Sequence, residues 1–182
     1  SMHGSADLTP KQKILGAAYA SIGLPQKLYQ ARFCNYLKNY HSLEHIKEQV
    51  GPTWSTELDN LSVSEKIAGA LVAEFPDTYV SKKAAFEILR AQYPVENRDP
   101  SDEEFISELR RILQSPNDPE QIKSVMIILD EVQIFISDNA DRAAMIQALA
   151  EICSKNLDGR VMLVAAGQSA LSVDTSHFNK LR

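Results

Sequence analysis

The sequence has little cysteine, two residues in 182, and neither belongs to a Cys-x-x-Cys pair. Cys34 and Cys153 stand alone in apolar, helix-patterned surroundings, which points to buried reduced thiols and away from a disulfide framework or a zinc site. No apolar run approaches the roughly 18 residues that a membrane span requires. The opening SMHGSADLTP also lacks the apolar centre of a signal peptide. The expected compartment is therefore the cytoplasm. Positive charge is not in excess: 24 acidic residues stand against 19 basic ones, a formal net charge of −5, so bulk charge does not recruit nucleic acid or anionic lipid. There is no repeat at a fixed period and no low-complexity tract.

What is there suffices for a core. At 44% apolar residues over 182 positions, the composition is that of one globular domain with or without a small appendage. SMHGS at the front reads as a cloning remnant, and residues 1–8 as a tag or disordered lead without functional meaning for His3.

The first two-thirds read as helix after helix, with apolar residues at three- and four-residue spacings. Thr9-Pro10 opens a helix to about Ile22, which Gly23 stops. Pro25 starts another segment carrying Leu28, Phe33 and Leu37, and Ser42 caps a short helix that ends before Gly51-Pro52. SVSE, Ser62 to Glu65, has the spacing of a capping box before Ile67, Leu71, Val72 and Phe75, with Pro76 as the stop. Ser81 leads Ala84, Ala85, Ile88 and Leu89; SDEE, Ser101 to Glu104, is a second capping box before Phe105, Leu109 and Ile112. QYPVENRDPSD and QSPNDPE read as proline-rich polar connectors.

After Pro119 the pattern changes. Val125–Leu129 is an apolar run too short for a helix and suited to a strand covered on both faces. Residues 141–155 then read as a helix with Met145, Ile146, Leu149 and Ile152 inward, and residues 160–166 as a second strand ending at GQS. Strand, helix, strand at this spacing is a crossover unit, so the strands should be parallel and their functional ends should share the carboxyl edge. Asp130, Glu131 and Gln168 would lie along it.

An apolar strand ending in Asp-Glu is a Walker B pattern. In nucleotide-hydrolysing parallel sheets the first carboxylate helps hold Mg²⁺ through water, and the second orients or deprotonates the attacking water. A polar side chain at the end of the neighbouring strand, here Gln168, reaches the γ-phosphate or that water. The competing reading is an acid pair that caps the next segment or sits in solvent. One part is absent: the seven glycines, at 4, 16, 23, 51, 69, 159 and 167, include none of a G-x-x-x-x-G-K-[ST] phosphate loop. Two parallel strands are also an incomplete sheet. Both gaps suggest a piece of a longer protein.

The stretch MIILDEVQIFISDNADRAAMIQALAEICSKNLDGRVMLVAAGQSAL resembles the Walker B to sensor region of the large P-loop ATPases of BREX phage-defence systems, the BrxC type. ILGAAYASIGLPQKLYQARFCNYL and the Gly-x-x-Trp at Gly51 to Trp54 resemble the helical insertion such proteins carry between Walker A and Walker B, and HFNKLR the segment after the sensor strand. The resemblance implies a mostly helical α/β chain: a helical insertion over 9–119 and a partial AAA+-like P-loop core over 120–182. It implies ATP and Mg²⁺ as cofactors in the intact protein, Asp130 as the magnesium carboxylate, Glu131 as the catalytic one and Gln168 as the sensor. The implied partners are the remainder of the same ATPase, further copies of it and other defence subunits. DNA is a further candidate partner that the net charge does not support, and a membrane is not expected. Without Walker A, the chain alone would be inactive.

Two other classes fit parts of the sequence. HSLEH, His41 to His45, has the H-x-x-E-H spacing of a zinc peptidase, yet Ser42 as a cap would leave His41 outside the helix. Phe33, Tyr36, Leu37, Tyr40 and Trp54 would serve a non-enzymatic scaffold as a docking surface, or simply form core. Lys82-Lys83 and Arg110-Arg111 are short basic pairs of the kind that mark solvated faces.

Overall fold

A computed structural model describes residues 8–95, 98–115, 118–137 and 139–166. The chain is mostly helical with a two-stranded parallel sheet, and it divides into two compact units at Pro100/Ser101. The sequence change expected at 119/120 falls within the second unit, because the helix after Ser101 groups with the strands.

The first unit holds α1 (Pro10–Ser21), α2 (Leu28–Asn39), α3 (Leu43–Val50), α4 (Trp54–Asp59), α5 (Glu65–Glu74) and α6 (Lys82–Gln92), with 3₁₀ turns at Gly51–Thr53 and Leu61–Val63. α1 begins with a full capping box: Thr9 Oγ1 accepts from Gln12 N–H, and the Gln12 side chain accepts from Thr9 N–H. It ends as expected, with Gly23 at φ 80°. Gly16 is needed for another reason, since a Cβ there would stand 2.7 Å from the Gln26 carbonyl oxygen. Leu15, Phe33, Leu37, Ile46, Ile67, Leu71 and Leu89 are fully buried. Each such side chain contributes about 1.5–3 kcal/mol of hydrophobic stabilisation.

Two helix starts differ from expectation. α5 is capped by Ser64, whose hydroxyl accepts from Ile67 N–H, rather than by Ser62, which lies in the preceding 3₁₀ turn. Ser42 occupies the N-cap of α3 but makes no side-chain cap; its hydroxyl donates to Glu74 Oε1 at 2.7 Å.

The second unit holds α7 (Asp102–Leu113), β1 (Gln114–Ser115), β2 (Asp118–Ile122), β3 (Val125–Leu129), α8 (Val132–Ile136), α9 (Ala140–Asn156) and β4 (Val161–Ala165). The capping box at Ser101 and Glu104 forms with both hydrogen bonds. QSPNDPE is not a plain connector: its ends pair as the antiparallel β1–β2. β3 and β4 pair in parallel, Val125 opposite Val161 through Leu129 opposite Ala165, with α9 as the crossover.

The expectation that β3 is covered on both faces does not hold within the described residues. Its burial alternates, with Met126 59% and Ile128 62% exposed beside Met162 at 59%. The other face carries the buried Val161, and α9 turns Leu149 and Cys153 inward. Met145 is exposed rather than inward, and Ile146 and Ile152 are only half-buried. Among the described residues, no helix is long and apolar enough to cross a membrane.

Candidate functional site

The strand ends bring the acid pair to one edge. Past the last ladder pair, Ala166 N–H donates to Leu129 O at 2.9 Å and Val132 N–H to Ala166 O at 3.3 Å, so the chain around Asp130 and Glu131 is stitched to the end of β4. Asp130 Oδ1 accepts from Glu131 N–H at 2.9 Å, and both carboxylates are exposed. One oxygen of the exposed Asp130 carboxylate thus fixes the turn. Glu131 is left-handed, φ 53° and ψ 34°, a conformation that costs a non-glycine residue roughly 1–2 kcal/mol. Gln168, the expected sensor, lies outside the described residues, as do Gly167, Ser169 and the HFNKLR segment.

Glu131 is also the N-cap residue of α8, a five-residue helix followed by Ser137 at φ 44°. α8 is tied to α9 by Arg142, which donates from Nη1 to Phe135 O at 3.0 Å and sets its guanidinium 5.3 Å from the Phe135 ring centroid. Asn139 places Arg142 by capping α9, its Oδ1 accepting from the N–H groups of Asp141 and Arg142 at 2.9 and 3.1 Å. Among the described residues, Gln133 carries a buried Oε1 with no hydrogen-bond partner. Sequence reasoning missed Arg142 and Gln133. The Asn139 cap in front of a helical pattern was the one readable signal, whereas the Phe135–Arg142 contact depends on how the intervening turn folds.

The chemistry available to Asp130 and Glu131 is that of two hard oxygen donors at a water-facing edge. No group of three or more His, Cys, Asp or Glu side chains among the described residues gathers into a metal cage. The pair suits a cation that keeps most of its ligands as water or substrate oxygens, which is the habit of Mg²⁺ rather than of structural Zn²⁺.

The H-x-x-E-H residues do not converge. His41 has φ 58° and precedes α3, Glu44 pairs with Lys47 at 2.8 Å, and His45 Nε2 lies 3.5 Å from Glu74 Oε2 and 2.7 Å from Gln49 Nε2. Most of the aromatic group is packing: Phe33 and Leu37 are buried, Phe33 stacks with Trp54 at 6.5 Å, and Tyr36 meets Tyr40 at 4.9 Å. Tyr40 remains exposed, against Phe75. Both thiols are buried, which pushes Cys34 up to about 12 and Cys153 up to about 11 and leaves neither a nucleophile at neutral pH. In the basic pairs, Lys82 binds Glu65 and Arg110 binds Asp158 and the Asn156 carbonyl.

No family model, curated protein or solved structure matches the chain.

Proposed function

We propose that this chain is an internal part of an AAA+-like P-loop ATPase of the BREX type of antiviral defence, contributing the Walker B carboxylates and the sensor for ATP hydrolysis. The observation that supports this reading most is an Asp-Glu pair at the carboxyl edge of a parallel strand–helix–strand unit, where phosphate and magnesium chemistry is run in open α/β sheets. In the intact protein Asp130 would hold Mg²⁺ through water, with the oxygen not used by Glu131 N–H. Bound Mg-ATP supplies the phosphoanhydride to be cleaved and a cation that neutralises charge on its oxygens. Glu131 would orient and deprotonate the attacking water, and Gln168 would report on the γ-phosphate.

The sequence has no phosphate-cradling loop, so the site is one half of a nucleotide site, and the remainder of the same ATPase supplies the other. The chain alone is then inactive. Further copies and other defence subunits are its proposed partners.

In the full-length protein, Glu131→Gln abolishes ATP turnover, by at least about a hundredfold as for loss of a general base. Binding of Mg-ATP stays within about twofold, since the amide keeps the size of the carboxylate and the phosphate contacts lie elsewhere. Turnover that survives this substitution removes Glu131 from the catalytic role.

A further inference from the structure

The short helix behind the acid pair is held from a place the sequence does not advertise. α8 has five residues, too few to be stable by its own hydrogen bonds, and it is bracketed by two non-glycine residues at positive φ, Glu131 at 53° and Ser137 at 44°. Strained backbone of this kind persists only where its surroundings over-determine it. On the Glu131 side the ties are Asp130 Oδ1 and the Ala166 carbonyl, which accept from Glu131 N–H and Val132 N–H. On the far side they are Asn139 N–H, which donates to Ile136 O at 3.0 Å, and the Arg142 guanidinium, hydrogen-bonded to Phe135 O and lying against the Phe135 ring.

We propose that Arg142 is a positioning residue for the Asp130–Glu131 pair: from the first turn of α9 it clamps α8, and through α8 it fixes the left-handed turn that presents Glu131. The proposal rests on the ATPase reading above for its effect on turnover, while the clamp itself is a property of this chain. Arginine is suited to the task because its planar group donates in-plane to the carbonyl while facing an aromatic ring; lysine offers a point charge and cannot do both. The carboxylate pair is then aimed by a residue that acts through α8.

The test compares Arg142→Ala, Arg142→Lys and Phe135→Leu in two measurements. In the 182-residue chain, amide hydrogen exchange over Val132–Ile136 should speed up about tenfold in Arg142→Ala and by less in Arg142→Lys and Phe135→Leu. The amides of β3, β4 and the second half of α9, in the same unit, should be unchanged. In the full-length protein, Arg142→Ala should lower kcat for ATP about tenfold at unchanged KM, with part of the loss restored in Arg142→Lys. A residue of general structural importance would instead alter exchange throughout its unit and would show no graded rescue. Unchanged exchange over α8 overturns the clamp. Unchanged kcat in Arg142→Ala, in a protein that Glu131→Gln inactivates, overturns the positioning role and leaves the ATPase reading standing. Turnover indifferent to Glu131→Gln instead removes Glu131 from the catalytic role and with it the positioning role of Arg142, and the exchange measurement still decides the clamp. If Arg142→Ala fails to fold, Arg142→Lys carries the decision, with wild-type kcat and exchange overturning the proposal.

Discussion

Glu131 combines a negative charge at a water-facing edge with a backbone conformation that favours glycine. On backbone conformation alone, glycine would suit this position better. Glu131→Ala keeps the strain and removes the carboxylate, and Glu131→Gly removes both. The glycine variant should therefore be the more stable of the two by about 1 kcal/mol, the relief of the left-handed turn less the added freedom of the unfolded chain. The urea midpoints of the two variants read this directly, and an alanine variant at least as stable as the glycine one contradicts the strain account. On the proposed reading, both should also lose ATP turnover in the intact ATPase. The identities of Asp130 and Glu131 as candidates were legible from the apolar run before them. The left-handed turn was not, because it follows from stitching Val132 to Ala166, a contact 34 residues apart in sequence.

At the scale of elements, the same local pattern succeeded once and failed once. Ser101 and Glu104 form a reciprocal capping box, and three acidic residues in the first turn of α7 complement the helix dipole. Ser101→Ala should cost about 1 kcal/mol, read as a lower urea midpoint at unchanged slope. An unchanged midpoint would mean that α7 is held by its buried face alone. Ser62 and Glu65 have the same spacing and make no box, because a 3₁₀ turn runs through Val63 and the helical φ, ψ values begin only after Ser64. Sequence spacing names the serines that can cap; the geometry of the preceding segment selects between them. The β1–β2 pairing was missed for a related reason, since proline at 119 argued for a connector while an edge strand tolerates it. Met145 was placed inward by helical period, yet α9 buries a narrow stripe through Leu149 and Cys153.

For the whole molecule, the helical character and the parallel crossover were legible because both follow from apolar periodicity and segment length. The open face of the β3–β4 sheet was not legible. An apolar run reads the same whether one face or both are covered, and among the described residues Met126, Ile128 and Met162 are exposed on one face. On the proposed reading the chain is a partial core that brings carboxylates without a phosphate cradle. The measurement that tests that claim most directly is calorimetric titration of Mg-ATP into the 182-residue chain and into the full-length protein, each with and without magnesium and with Asp130→Asn beside the wild type. The account predicts no binding by the 182-residue chain and magnesium-dependent binding by the full-length protein, weakened about tenfold or more by Asp130→Asn through loss of one charge-assisted contact to the hydrated cation. Magnesium-dependent binding by the 182-residue chain alone, or a full-length protein whose binding ignores Asp130, would contradict it.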